Sequence, residues 1–201
     1  MELLHEKGIN RCEVCGVEIE DEGLCGQCIM KRPPFKRHIS SGEYNGLLRN
    51  LIIKYKFNEL ESLKYLFADI YINLMEREIG FEFDWIIPVP VDQGRKRNYD
   101  PTYETSKLIS IRTGIPILRK KLIKVKRTEP QTGLGYNQRV KNLNGAFKLT
   151  DSKSIVKDRI LIVDDVFTTG TTVKKCAEAF GKETKDIYII TLARSKDIFK
   201  E

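Results

Sequence analysis

The sequence predicts an α/β protein with a mostly parallel, doubly wound sheet. Short apolar runs rich in β-branched residues, such as residues 160–163 and 186–193, are typical of strands that are covered on both faces. Segments with apolar residues at helical spacing alternate with these runs along the chain. The run at 160–163 also leads through a tight loop into a helical pattern, which is a common connection in a parallel sheet.

The remaining elements can be assigned in chain order from the same patterns. Apolar residues at helical spacing indicate helices near residues 48–55 and 63–74, and neither carries side chains with an evident chemical role. The other predicted elements are a strand at 84–90 that prolines end, a helix at 102–112, a strand within 117–125, a further strand at 146–149 and a helix at 173–180.

Five cysteines occur, and four of them form two Cys-x-x-Cys pairs near the start of the chain. Nine residues separate the pair Cys12 and Cys15 from the pair Cys25 and Cys28. Two such pairs can close tetrahedrally on Zn²⁺, whereas disulfides are rare in the cytosol and a redox pair would occur alone. The spacing therefore predicts a structural zinc knuckle with four protein ligands. Cys176 falls on an apolar helix face and is predicted to be core.

The length of 201 residues suits one α/β domain with a small appendage. A stiff break at residues 31–34 predicts a zinc-binding knuckle over residues 1–34 and a second domain over residues 35–201. No segment has the apolar length of a membrane span, and the N-terminus lacks the apolar region of a signal peptide. We therefore expect a cytoplasmic protein.

Positive charge is concentrated in one part of the chain. Residues 95–127 hold eleven lysines and arginines against two acids, a local balance of +9, while the whole chain carries +7. Such a block favours a polyanionic ligand, either pyrophosphate or nucleic acid. The alternative is a solvated surface that only aids solubility.

The stretch that follows the strand at 160–163 indicates a ribose 5-phosphate site. Ligands bind at the carboxyl ends of parallel strands, and a helix N-terminus attracts anions. Asp164 and Asp165 would repel a phosphate but can accept hydrogen bonds from two neighbouring sugar hydroxyls or help to hold Mg²⁺. A polar turn with a threonine cap is the simpler alternative. The predicted phosphate-binding residues are Thr168, Thr169, Gly170, Thr171 and Thr172.

Two further segments are candidates for holding a pyrophosphate group. The first is a proline-flanked turn with cations, in which Val89, Pro90, Arg95 and Arg97 are predicted to bind the pyrophosphate. The second has the composition of a mobile basic loop that could close over the ligand and exclude water. An exposed connector is an equal alternative for any single lysine. The loop candidates are Lys124, Lys126, Arg127 and Gln131.

Residues 164–172 resemble the phosphoribosyl pyrophosphate signature of type I phosphoribosyltransferases, and the whole set of motifs resembles the ComF family. The resemblance implies a type I phosphoribosyltransferase-like fold, phosphoribosyl pyrophosphate binding with Mg²⁺ that involves Asp164 and Asp165, and a role in competence. In place of the family's usual Gly-Phe-Asn after the arginines, this chain has Asn98-Tyr99-Asp100, which predicts a changed turn. The motifs are the two cysteine pairs and residues 44–49, 54–57, 88–90, 131–134, 139–147 and 164–172.

Two hypotheses of different class follow. The resemblance implies an accessory protein of natural transformation that handles single-stranded DNA beside a competence helicase, with Tyr99, Tyr103 or Phe35 as stacking faces. The alternative is an active phosphoribosyltransferase, which would join a nitrogen base or amine to ribose 5-phosphate by positioning and electrostatics, with Asp164 and Asp165 as the catalytic residues that favour developing positive charge on the ribose. No base-binding hood with an aromatic clamp is evident in the sequence, so the first hypothesis is preferred.

Overall fold

The computed structural model describes residues 10–57, 59–91, 99–126, 143–150, 158–181, 184 and 186–196. In chain order, the elements are β1 (Asn10–Arg11), β2 (Glu18–Ile19), α1 (Gly26–Met30), β3 (Arg37–Glu43), α2 (Gly46–Lys56), α3 (Leu63–Glu78), β4 (Trp85–Pro88), α4 (Pro101–Thr113), β5 (Leu122–Lys124), β6 (Phe147–Leu149), β7 (Arg159–Phe167), α5 (Thr171–Glu178) and β8 (Asp186–Arg194). No helix in the described part of the chain is long and apolar enough to cross a membrane.

A four-stranded parallel sheet in the order β3-β8-β7-β4 forms the centre of the fold. Side chains of β7 alternate between its faces, so Ile160 and Ile162 join one core cluster while Leu161 and Val163 join the other. Helices α2, α3 and α4 contribute to the second cluster, and α5 contributes to the first. Because both faces are covered, the strands read as nearly continuous apolar runs. The predicted α/β class with a parallel, doubly wound sheet is confirmed.

The cysteine-rich segment packs on the same face of the sheet as α5. Strands β1 and β2 form a short antiparallel pair, and α1 follows them. Cys12, Cys28 and Phe35 are all buried in the first core cluster. Phe35 is only 4% exposed, so the expectation that it offers a stacking face to nucleic acid is wrong.

Strand β3 is the main element that the sequence did not predict. Its sequence, Arg37 to Glu43, contains one aliphatic residue, Ile39, and therefore lacks an apolar strand pattern. It is nevertheless an edge strand of the central sheet, where His38 and Ile39 are buried. A buried histidine replaces an aliphatic side chain here because both ring nitrogens find polar partners.

Candidate functional site

The two adjacent acids lie within β7 rather than after it. The sequence indicated a strand that ends at Val163, but pairing with β8 continues through Asp164, opposite Thr191, to Phe167. Both carboxylates therefore sit at the carboxyl end of a central strand, where pairing with β8 fixes the backbone that carries them. This is the edge at which parallel sheets bind ligands.

Asp164 is a partly buried carboxyl group with few partners for its charge. The amide of Asp165 donates to Asp164 Oδ1 at 2.9 Å, and the hydroxyl of Tyr71 donates to the Asp164 carbonyl at 2.5 Å. Burial and the adjacent Asp165 raise the pKa of Asp164 to about 7, although Lys56 opposes the shift. At neutral pH this carboxyl group is thus poised between its two protonation states.

Asp165 forms an ion pair with Lys56, in the last turn of α2. The distance from Lys56 Nζ to Asp165 Oδ2 is 2.7 Å, and the side chains are 37% and 19% exposed. Burial lowers the pKa of Lys56, but the charge of Asp165, the hydrogen bond to it and the charge of Asp164 together outweigh burial, so the net shift is upward. Sequence reasoning missed Lys56, since a pair between residues so far apart leaves no local pattern. Its only signal was its place in the segment at 54–57 that resembles the ComF family.

The threonine-rich loop turns sharply into the N-terminus of α5. Gly170 has a φ of +70°, in the left-handed region that glycine tolerates best, and its carbonyl accepts from Lys174 N at 2.9 Å. The hydroxyls of Thr169 and Thr171 lie 2.7 Å apart. The structure thus brings the predicted phosphate-binding residues, including Thr168 and Thr172, together at the end of β7, beside the two acids.

The proline-flanked turn lies next to the two acids. Pro88 is opposite Val163, and the amide of Val89 donates to the Val163 carbonyl at 2.9 Å. That amide is used by the sheet, and Pro90 has no N–H, so neither residue can offer an amide to a pyrophosphate group. Arg95 and Arg97 lie outside the described residues.

The departure from the family pattern has a structural role at the start of α4. Asp100 caps this helix by accepting from the amide of Tyr103 at 3.1 Å, and Pro101 occupies the first helical turn. Tyr99 packs edge-on against Tyr55 with ring centroids 5.9 Å apart. Asn98 lies outside the described residues.

The predicted basic loop begins at an antiparallel hairpin. Lys124 in β5 is opposite Phe147 in β6. Burial and Asp164 raise the pKa of the Cys176 thiol, and Lys124 opposes this shift. Lys126 is exposed, while Arg127 and Gln131 lie outside the described residues.

The four N-terminal cysteines form a cluster that can hold a metal ion. Their sulfur atoms all lie within 4.8 Å of one another, and the Sγ atoms of Cys15 and Cys25 are 3.7 Å apart. Thiolates about 2.3 Å from a tetrahedral Zn²⁺ would lie roughly 3.8 Å apart, so the cluster fits this ion. Burial by itself raises the pKa of Cys12, but backbone hydrogen bonds from Cys15, Cys25 and Val14 lower it to about 7.

Comparison with curated proteins gives relatives over most of the chain, although no family model matches. Competence protein F of Haemophilus influenzae is 30% identical, over 94% of this chain and 86% of that protein. The DNA utilization protein YhgH is 27% identical in Salmonella typhimurium, over 85% of this chain and 77% of that protein. In Escherichia coli K12 the YhgH protein is 28% identical, over 83% of this chain and 76% of that protein.

Phosphoribosyltransferases are among the solved structures that align with the chain. Adenine phosphoribosyltransferase from Leishmania tarentolae aligns with a TM-score of 0.36 and 16% identity, over 71% of this chain and 73% of that chain. Purine phosphoribosyltransferase from Pyrococcus horikoshii aligns with a TM-score of 0.34 and 18% identity, over 75% of this chain and 90% of that chain.

Proposed function

Since this chain belongs to the ComF family of competence proteins, we propose that it is a cytoplasmic accessory protein of DNA uptake that binds phosphoribosyl pyrophosphate with Mg²⁺ and also binds single-stranded DNA. The names of its relatives, competence protein F and DNA utilization protein, support the cellular role. We further propose that residues 1–34 are a zinc-binding knuckle and that residues 35–201 hold the phosphoribosyl site.

One observation carries the ligand assignment: two carboxylates and a threonine-rich helix N-terminus meet at one strand end. Asp164 and Asp165 would accept hydrogen bonds from the two ribose hydroxyls, while residues 168–172 would bind the 5-phosphate. Neither group alone defines the ligand, since a carboxylate pair repels phosphate and an anion loop does not recognise a diol. Together they match a phosphorylated ribose.

The pyrophosphate end of the ligand falls beside the proline-flanked turn. Arg95 and Arg97 are the proposed pyrophosphate contacts, and Lys124, Lys126, Arg127 and Gln131 belong to the loop proposed to close over the ligand. Mg²⁺ prefers carboxylate and phosphate oxygens, so it would bridge the diphosphate and the acidic strand end. The ion would neutralise the charge of the diphosphate, since the described cation at the acids, Lys56, is already paired with Asp165.

Zinc is the proposed metal of the four-cysteine cluster. Four thiolates within tetrahedral distance leave no open position for substrate, so the ion would be structural. Its role would be to fold a short segment whose described residues, 10–34, have little regular structure besides β1, β2 and α1.

The ligand assignment is tested by removing both carboxylate charges. Asp164→Asn with Asp165→Asn should weaken binding of Mg²⁺–phosphoribosyl pyrophosphate by about 2–4 kcal/mol, which is roughly 30- to 1,000-fold. Titration calorimetry measures this change. Asp186→Asn is the matched control, since its side chain is 21% exposed against 19% for Asp165, but it lies at the opposite end of the sheet and pairs with Lys36.

Unchanged affinity in the double variant, with the Asp186 control also unchanged, would remove the site assignment. The catalytic alternative is decided separately by measuring pyrophosphate release with a range of purine and pyrimidine bases and ammonia. We expect binding without release above the rate of spontaneous hydrolysis. Base-dependent release would instead establish a phosphoribosyltransferase.

A further inference from the structure

Arg194, the last residue of β8, is a buried cation that forms no ion pair with a carboxylate of any described residue. It is 8% exposed, and its guanidinium donates to the backbone carbonyl of Cys15. A carbonyl dipole compensates a buried charge only in part, and an uncompensated charge in the interior is strongly destabilising. The position of Arg194 therefore requires another source of negative charge nearby.

The four-cysteine cluster supplies that charge when it holds its metal. A Zn²⁺ ion bound by four thiolates carries a net charge of about −2. Arg194 lies beside this cluster, because its guanidinium donates to the backbone carbonyl of Cys15, one of the four cysteines. Arg194 thus has the position and the charge of a counter-ion to the metal centre.

Phe167 connects this cation to the phosphate loop. The guanidinium carbon of Arg194 lies 4.7 Å from the centre of the Phe167 ring. The His38 ring stacks on the same Phe167 ring, with 3.9 Å between the ring centroids. His38 Nδ1 donates to the same Cys15 carbonyl that accepts from Arg194, at 3.0 Å. A Cβ on Gly170 would collide with the Phe167 ring, so the loop backbone rests directly on that ring.

We propose that Arg194 and Phe167 transmit the occupancy of the metal site to the phosphate loop, so that Zn²⁺ and a phosphate ligand bind cooperatively. The inference rests on the proposed function, which supplies zinc as the metal and phosphoribosyl pyrophosphate as the ligand. With Zn²⁺ bound, Arg194 is neutralised and stays against Phe167, and the ring supports Gly170. Without the metal, the buried cation has no counter-charge and the support under the loop is lost.

The test measures the zinc affinity of the full chain with and without Mg²⁺–phosphoribosyl pyrophosphate, by competition with a chromophoric chelator that binds Zn²⁺ but not Mg²⁺. We expect the ligand to tighten zinc binding about fivefold or more, and zinc to tighten ligand binding by the same factor, since coupling is reciprocal. Arg194→Met keeps the bulk but not the charge. It should weaken zinc binding about 10- to 100-fold and reduce the coupling factor to about one, and Arg194→Lys should restore part of the zinc affinity.

Lys196→Met is the matched control, because it removes an exposed cation two residues away that pairs with Glu18 and Glu43. Circular dichroism checks that each variant is folded. A coupling factor of one in the wild type, with both ligands bound, overturns the inference, and so does wild-type zinc affinity in Arg194→Met. If the wild type binds no phosphoribosyl pyrophosphate at any zinc level, the proposed function fails. The inference is then decided by the zinc affinities, with inorganic phosphate as the probe of the loop.

Discussion

At the scale of single residues, the carboxyl group of Asp164 has a pKa near neutrality, so its charge can control ligand binding around pH 7. The sheet holds it beside a second acid, and the only described cation that opposes the shift of its pKa is Lys56. Its neighbour Asp165 is neutralised by that lysine at 2.7 Å. The pair is therefore asymmetric: Asp165 has a counter-ion at contact distance, whereas burial and the charge of Asp165 raise the pKa of Asp164.

Ligand affinity should consequently depend on pH through Asp164. Since burial and Asp165 raise its pKa to about 7, the group is mostly protonated below that pH and mostly ionised above it. A site that needs two carboxylate acceptors then binds phosphoribosyl pyrophosphate weakly at low pH, by about tenfold per pH unit below 7, and reaches full affinity above about pH 8. Calorimetry from pH 5.5 to 8.5 measures the profile.

Two variants separate this group from the titrating phosphates of the ligand. Asp164→Asn should remove the part of the profile that belongs to the protein, leaving only the shallow dependence of the ligand itself. Lys56→Met removes the cation that holds the pKa of Asp164 down, so the midpoint should move to higher pH. A wild-type profile in both variants would show that Asp164 does not control binding.

At the scale of elements, sequence periodicity predicted the apolar strands and helices but not the limits of the strands. The apolar run of β7 ends at Val163, yet the sheet continues to Phe167 because β8 offers a paired strand as far as Arg194. Strand β3 was not predicted, since its burial depends on partners for His38 that lie far away in the chain. Such tertiary pairings override local propensity.

The candidate site likewise contains residues that the sequence could predict and residues that only the fold brings together. The acids, threonines and glycine form one short motif and the four cysteines form another, so spacing within each motif was sufficient to propose them. Lys56 and Tyr71 reach Asp165 and Asp164 only through the folding of α2 and α3 onto the sheet. A single sequence contains no pattern for such long-range contacts.

Gly170 provides a test of the loop at the element scale. Alanine there must adopt a φ of +70°, at a cost of about 1–2 kcal/mol, and must also displace the Phe167 ring. We expect Gly170→Ala to lower the free energy of unfolding by more than that amount and to weaken phosphoribosyl pyrophosphate binding by about tenfold or more, as loss of one charged hydrogen bond would. Urea denaturation and calorimetry measure the two effects.

Gly181→Ala is the matched control for this substitution. Gly181 has a φ of +74°, but no atom lies within 4 Å of the added Cβ. It should therefore show only the backbone cost and full ligand affinity. Equal stability losses in the two variants, or unchanged affinity in Gly170→Ala, would show that contact with Phe167 does not shape the loop.

At the scale of the whole molecule, charge is distributed unevenly around one ligand site. The acids lie at the end of β7, while the basic segment at residues 95–127 includes Lys124 of the hairpin of β5 and β6. The same cations can serve nucleic acid or the diphosphate of the small ligand, and the two roles predict different salt dependence.

If the basic segment binds single-stranded DNA, affinity should be sequence-tolerant and fall steeply with salt. Four neutralised phosphates give a log–log slope of roughly −3, at about −0.7 per contact. The exposed Lys120 and Lys126 are suitable targets. Lys120 has a φ of 67°, a backbone conformation that asparagine tolerates. The test variant therefore combines Lys120→Asn with Lys126→Gln. The slope measured by fluorescence anisotropy with a dye-labelled oligonucleotide should flatten by about 1.4.

The control variant, Lys54→Gln with Lys196→Gln, removes the same amount of charge from exposed positions elsewhere and should leave the slope at its wild-type value. Calorimetry with phosphoribosyl pyrophosphate on the same proteins distinguishes the two roles of the basic segment. Lysines that contact DNA alone leave that affinity unchanged. A wild-type salt slope together with weaker phosphoribosyl pyrophosphate binding would instead assign Lys120 and Lys126 to the ligand site, and the DNA surface would have to lie elsewhere on the molecule.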